Sequence, residues 1–350
     1  MTHPQMTRRY GFTLIEILVV IAIIAVLAGI LLPALSSVQN AAKKTQSESL
    51  MQAFARACDE FALDHGRYPG LLPDSAVDGV KITSMQNALL ELMGGARAKN
   101  NNSPQSVIDE FDAFSNSASI STEPDEGIVD PATNVTWHIA FNEQRFGEGP
   151  WVQGRAYEPY FSPKSSDIQY TSPDFSDSNI WNTFQFPALI DSWETPIMYF
   201  RAIRKNGPIL DYAPNYGEGA DHENQLSQFD LPGVADHFDP LNAANSILSS
   251  LSNGYDISDD QDAVAWLTIA LAHPSFWESD TTFSNGTAWG GTRGRYMLIS
   301  AGQDKIYFEN ANELVHENQD AEDLLLNPQS GEVTPKMIET FNDVIVYGGA

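Results

Sequence analysis

The feature that most constrains this chain is an apolar run near its N-terminus that contains a single carboxylate. From Phe12 to Leu35, 24 residues, Glu16 is the one charged side chain. As a helix at ~1.5 Å per residue such a run is ~36 Å long, enough to cross a ~30 Å hydrocarbon layer. Arg8 and Arg9 stand before it, and no acidic residue does. Positive flanks stay on the cytoplasmic side, which sends the bulk of the chain outward. A cleavable secretory signal has an apolar core of roughly 7–15 residues closed by a small-x-small site. This run is longer, and its far end, Pro33-Ala34-Leu35-Ser36-Ser37, lacks a clean site and leads on into a helical pattern.

A carboxylate inside an apolar span costs roughly 2.5–3.5 kcal/mol on insertion scales, and a plain anchor has no use for one. A cut before Phe12 changes its meaning. It creates an α-amino group four residues from Glu16, able to pair with the Glu16 carboxylate of a neighbouring chain. Such a pair neutralises two buried charges and sets the axial register of a helix bundle. Gly11-Phe12-Thr13-Leu14-Ile15-Glu16, with its basic leader and with Pro33 beyond it, resembles the prepilin cleavage and methylation motif of type IV pilins and type II secretion pseudopilins. The resemblance implies that a membrane aspartic peptidase, the prepilin peptidase, cuts after Gly11 and methylates Phe12. It implies that Glu16 and Pro33 serve assembly. It implies as partners other pilin or pseudopilin subunits, an inner-membrane assembly platform and membrane lipid. The chain then divides into a leader at 1–11, a transmembrane and assembly helix at 12–35, the amphipathic half of the first helix at 36–66, and an extracytoplasmic head at 67–350. The head carries large insertions near 97–180 and 205–290.

Beyond Pro33, which should kink the helix, apolar residues recur at helical spacing: Leu35, Val38, Ala42, then Met51, Phe54, Ala55, Cys58, Phe61 and Ala62. That stripe can cover a sheet, and it should stop at His65-Gly66, where glycine supplies a left-handed cap and Pro69 blocks continuation. Short β-branched and aromatic stretches predict strands at 196–203, 295–300, 305–308 and 344–347. The second and third should form a hairpin through 301–304. Asp64-His65-Gly66-Arg67-Tyr68-Pro69 resembles the helix-end motif of the major pseudopilin of type II secretion. Residues 187–199 resemble its Asp-Pro-Trp-Gly-x-Pro-x-x-Tyr element, with Ser192 where Pro is usual and Glu194 where Gly is usual. Residues 296–304 resemble its Ser-x-Gly-x-Asp strand and loop. The expected fold class is α+β and pilin-like: a long N-terminal helix, its first half transmembrane, on a small antiparallel sheet with large loop insertions. Residues 97–135 and 205–260, rich in Asn, Ser, Asp and Gly, read as surface loop. Asp262 to Ala272 reads as a short buried helix.

Compact pseudopilins carry calcium in the loop after the Ser-x-Gly-x-Asp strand. By that resemblance Ser300, Asp304, Glu309, Asn342 and Asp343 would be ligands, given that calcium takes six to eight hard oxygens. Lys305 departs from the pattern, standing where Gly is usual, and solvated loop carboxylates are the commoner fate of such groups. The formal charge of −27 argues against a general nucleic-acid surface, which needs phosphate-neutralising cations. The lone cysteine, Cys58, cannot make an intrachain disulfide and lies in the apolar stripe, where a small core residue is a commoner role than a nucleophile. No Gly-x-Ser-x-Gly elbow, His-Glu-x-x-His pair or Gly-Lys-Ser/Thr loop occurs, so an enzyme is not expected. The expected function is a filament subunit of a type II secretion or type IV pilus-like machine in the bacterial envelope, spanning the inner membrane once with its N-terminus cytoplasmic. A head this large would crowd a uniform filament, which favours a minor or tip position. The alternative is a membrane-tethered binding module for a glycan or an exported substrate.

Overall fold

The computed structural model describes residues 14–78, 82–100, 128–130, 133–171, 186–205, 209, 228–229, 267, 270–273, 291–308 and 343–349. The chain forms two compact units, Met1–Thr45 and Gln46–Ala350. The first helix, α1 (Leu14–His65), starts in one and ends in the other. It runs on through position 33, so Pro33 does not end the element.

In the second unit α1 presents a buried stripe of Ser47, Met51, Phe54, Ala55, Cys58 and Phe61, the i, i+3, i+4, i+7 spacing of a helix with one apolar face. The stripe begins at Ser47. Leu35, Val38 and Ala42, expected to belong to it, are exposed. Helical spacing marks a face that can be buried, not that a layer is present to bury it. The helix stops where expected: Gly66 takes φ 73°, which glycine adopts freely, and its N–H donates to the Ala62 carbonyl at 2.8 Å.

The remaining elements are α2 (Asp74–Asp78), α3 (Ser84–Met93), β1 (Ala96–Asn100), β2 (Ile128–Asp130), β3 (Val135–Phe141), β4 (Trp151–Val152), β5 (Arg155–Ala156), β6 (Ile168–Thr171), β7 (Phe186–Leu189), β8 (Met198–Arg201), β9 (Tyr296–Ser300) and β10 (Val344–Gly348). The strand pairings among the described residues are all antiparallel. The central sheet has the order β10-β9-β8, with Val344 opposite Ser300 and Met198 opposite Ile299. Every residue of β9 is buried, as a middle strand covered on both faces requires. Tyr296 and Leu298 of β9, Tyr199 of β8 and Val344 of β10 join Met51, Phe54, Cys58 and Phe61 of α1 in one core cluster. Phe54 meets Phe161 and Tyr199 edge to face, with ring centroids 5.3 and 5.4 Å apart. An α+β chain with a long N-terminal helix over small antiparallel sheets is what the sequence led us to expect.

Two expectations need correction. The stretch 305–308 is not a strand. It stays in turns, with Lys305 at φ 65° and Phe308 at φ 47°, angles no strand can hold. The partners of β9 are therefore β8 and β10, far away in sequence, and not a hairpin neighbour. Residues 97–135 are not all loop, because β1 and β2 pair with the two sides of β3. The intervening 101–127 lie outside the described residues, as do nearly all of 205–260. Of the helix expected over 262–272, Leu267, Ala270 and Leu271 are helical and buried, and the others, Ala272 apart, are outside the described residues. The sequence reading also missed α3. Its start is a capping box in which the Thr83 hydroxyl accepts the Gln86 N–H at 3.1 Å and the Gln86 carboxamide oxygen accepts the Thr83 N–H at 3.0 Å.

Candidate functional site

Within the first unit, every large apolar side chain from Leu14 to Leu27 is between 49% and 83% exposed. They lie on all sides of the helix, so no orientation hides them. A helix apolar all round is a buried helix, whether in lipid or among other helices. Left in water, such a contiguous surface drives association. Glu16 lies in the first turn of α1 with its side chain exposed, a carboxylate next to the positive end of the helix dipole. Gly11 and Phe12, the expected processing residues, lie outside the described residues, and nothing is described of the Pro33 side chain. Among the described residues no helix is long and apolar enough to cross a membrane. The run of exposed side chains from Leu14 to Leu27 covers ~21 Å, against a hydrocarbon core of ~30 Å.

The motif islands of the head converge on α1. Asp191 is buried, and one oxygen of its carboxylate accepts the N–H groups of Trp193 at 2.8 Å and Thr195 at 2.9 Å. Its other oxygen accepts the Ser300 hydroxyl at 2.6 Å. Burial raises the Asp191 pKa above the usual carboxylate range, against the opposing pull of those hydrogen bonds. The Ser192 N–H donates to the Ser47 hydroxyl of α1 at 3.0 Å. The island at 187–199 thus ties α1 to β9. The island at 64–69 works the same way. After Gly66, the Arg67 guanidinium pairs with Glu91 of α3, Glu91 also accepts the Gly70 N–H at 2.7 Å, and the Tyr68 ring packs on Tyr296 at 5.2 Å.

A buried ion pair escaped the sequence reading. Arg201 of β8 donates to both carboxylate oxygens of Asp74, at 2.7 to 3.1 Å, and to the carbonyls of Tyr68, Pro69 and Leu72. Three backbone carbonyls and one carboxylate take up the donors of the planar guanidinium, the arrangement in which a buried Arg is tolerated. The partners come from sites more than a hundred residues apart, so no local pattern announced them.

Three of the five expected calcium ligands, Ser300, Asp304 and Asp343, are among the described residues. The register of β10 against β9 does bring Asp343 next to Ser300. Yet the Ser300 hydroxyl is donated to Asp191, the Asp343 carboxylate accepts the Phe308 N–H at 3.1 Å, and Asp304 accepts the Ile306 N–H at 3.1 Å. These groups close the turns after β9. Glu309 and Asn342 lie outside the described residues, and among the described residues no group of three or more His, Cys, Asp or Glu could hold a metal. Of the five expected ligands, the three described ones, Ser300, Asp304 and Asp343, each hold a hydrogen bond within the protein.

Comparison with known proteins places the match on the N-terminal segment. Residues 6–32 match the family described as the prokaryotic N-terminal methylation motif. The chain is 40% identical over 65 residues to the type II secretion system core protein G of Pseudomonas aeruginosa, covering 19% of this chain and 46% of that one. It is 39% identical over 64 residues to the fimbrial protein of Neisseria meningitidis serogroup B, covering 18% of this chain and 38% of that one. A third match, to the type IV major pilin protein PilE of Neisseria gonorrhoeae, is 33% identical over 92 residues and covers 24% of this chain and 55% of that one. The chain therefore spans about half, or less, of the length of these relatives. No solved structure matches it.

Proposed function

On a chain whose N-terminal segment is pilin- and pseudopilin-like, we propose that the protein is a pilus or pseudopilus subunit that assembles through α1. The carrying observation is the first half of that helix: apolar on all sides, exposed along Leu14 to Leu27, with one carboxylate in its first turn. In this reading the prepilin peptidase cleaves the Gly11–Phe12 bond and the new Phe12 nitrogen is methylated. The segment 12–35 rests in the inner membrane, with the basic leader on the cytoplasmic side and the head beyond the membrane, in a bacterial envelope. An assembly platform then lifts each chain out of lipid into a bundle of identical helices.

Two physical arguments support the bundle. Apolar helices gain nothing from water inside lipid, so packing and polar pairing must specify their neighbours. The Phe12 ammonium of one copy and the Glu16 carboxylate of another supply such a pair, and each removes the burial cost of the other. The head, with 284 residues from 67 to 350, is bulky beside a helix, which favours a minor or tip position.

N-terminal mass spectrometry of the membrane-extracted protein tests this directly, with Glu16→Val measured alongside. The expected mature chain starts at N-methyl-Phe12, and Glu16→Val is processed but fails to enter filaments. An intact Met1 start in cells with active prepilin peptidase would overturn the reading and leave a membrane-tethered binding module.

A further inference from the structure

Beside the C-terminal end of α1 the head has a cleft of about 750 Å³. It gathers positive charge in a chain with 46 acidic residues against 19 Lys and Arg. Arg67, Arg201, Arg204, Lys205 and Arg295 line it, against Asp59 as the single acid among the described residues. Two of these cations are committed, Arg67 to Glu91 and Arg201 to Asp74. Arg204 and Lys205 are exposed and make no ion pair among the described residues. Asp59 accepts the Tyr296 hydroxyl at 3.0 Å.

The backbone that carries Arg204 and Lys205 is held in place. Arg295 donates to their two carbonyls at 3.2 and 3.4 Å, and the N–H groups of Ile203 and Arg204 donate to the Gln228 carbonyl at 2.8 and 3.3 Å. A rim fixed in this way presents its charges without first having to order them. The same cleft has apolar walls: Leu63 is 87% exposed and Ile203 is 44% exposed. A site for a small inorganic anion has no use for Leu63 and Ile203, whereas a polypeptide with carboxylates beside an apolar side chain complements both features.

We propose that this cleft docks an acidic, leucine-bearing segment of a second copy of the chain, its carboxylates on Arg204, Lys205 and Arg295 and its apolar side chain on Leu63 and Ile203. Two heads of charge −27 repel one another, and a cationic cleft is where such heads can meet. The copy-to-copy part rests on the assembly reading above. The binding chemistry does not, so the two can fail separately. The chain supplies its own probe in Glu317–Leu326, four carboxylates followed by three leucines.

The test is fluorescence anisotropy of a labelled peptide of that sequence, titrated with the full-length protein in detergent micelles. Saturable binding is expected. It should weaken about tenfold or more when the peptide carries Asn and Gln in place of its acids, and likewise in the double variant Arg204→Glu with Lys205→Glu. It should also weaken between roughly 50 and 500 mM salt. The thermal midpoint of the variant verifies its fold, and Arg204→Gln with Lys205→Gln replaces it if that midpoint falls. No binding, equal binding of the amide peptide, or binding unchanged in the folded variant would each overturn the proposal, whatever the N-terminal mass turns out to be.

Discussion

Glu194 sits at φ 68°, in the left-handed region, inside the turn where its N–H donates to the Asp191 carbonyl at 3.0 Å. This is the place where the pseudopilin-like element usually has glycine. A side chain there costs ~1–2 kcal/mol, and glycine returns roughly half of that through its looser unfolded state. Glu194→Gly should therefore stabilise the head by about 0.5–1 kcal/mol, seen as a higher urea midpoint. A neighbouring residue carries a pH signature. Burial raises the Asp191 pKa in the fold above its unfolded value near 3.9. A raised carboxyl contributes stability that is full below the unfolded pKa and is lost as pH rises through the folded one. Asp191→Asn should thus gain on the natural chain as the pH rises from about 4 to 7, measured as the difference of their unfolding free energies. Asp191→Ala, which strands two buried N–H groups and the Ser300 hydroxyl, should lose about 3 kcal/mol or more at any pH. Sequence pattern marked Asp191 and Ser300 as special but could not say that they bond to each other, because their 109-residue separation is closed only by the fold.

Among elements, α1 was legible because its signals are local: an unbroken apolar run, a 3.6-residue period and a glycine at its end. Where its buried face starts was not legible, since that depends on which layer covers it. β8, β9 and β10 were legible as apolar, β-branched stretches. The stretch 305–308 has similar composition and was misread, because only the positive φ of Lys305 and Phe308 excludes a strand there. β1 and β2 border a polar region whose composition hid them, and α3 announced itself only through Thr83 and Gln86. The division of α1 into faces gives a contrast within one helix. Phe54→Ala removes a fully buried ring packed on Phe161 and Tyr199 and should cost about 3–5 kcal/mol. Leu63→Ala, two turns on and exposed, should stay within about 0.5 kcal/mol. Chemical denaturation of both variants separates a helix packed on the head from one that merely adjoins it.

At the scale of the whole molecule, the proposed assembly reading gives the two units separate work. The main core cluster begins with Leu50 and uses nothing before it, while the contiguous run of exposed apolar side chains, Leu14 to Leu27, lies before Thr45. Assembly and folding should therefore separate by mutation. All seven tryptophans follow residue 46, so intrinsic fluorescence reports on the head alone. Gly11→Val should block processing and Glu16→Val should block entry into filaments, and both should leave the fluorescence unfolding midpoint of detergent-solubilised protein within about 0.5 kcal/mol of the natural chain. Arg201→Gln should do the reverse. It leaves Asp74 buried without its cation and should cost about 3–5 kcal/mol in the head, while the Gly11–Phe12 bond is still cut in whatever protein reaches the membrane. A Glu16→Val chain whose head melts like an Arg201→Gln chain would show that the first half of α1 supports the fold, and the separation of duties between the two units would then be wrong.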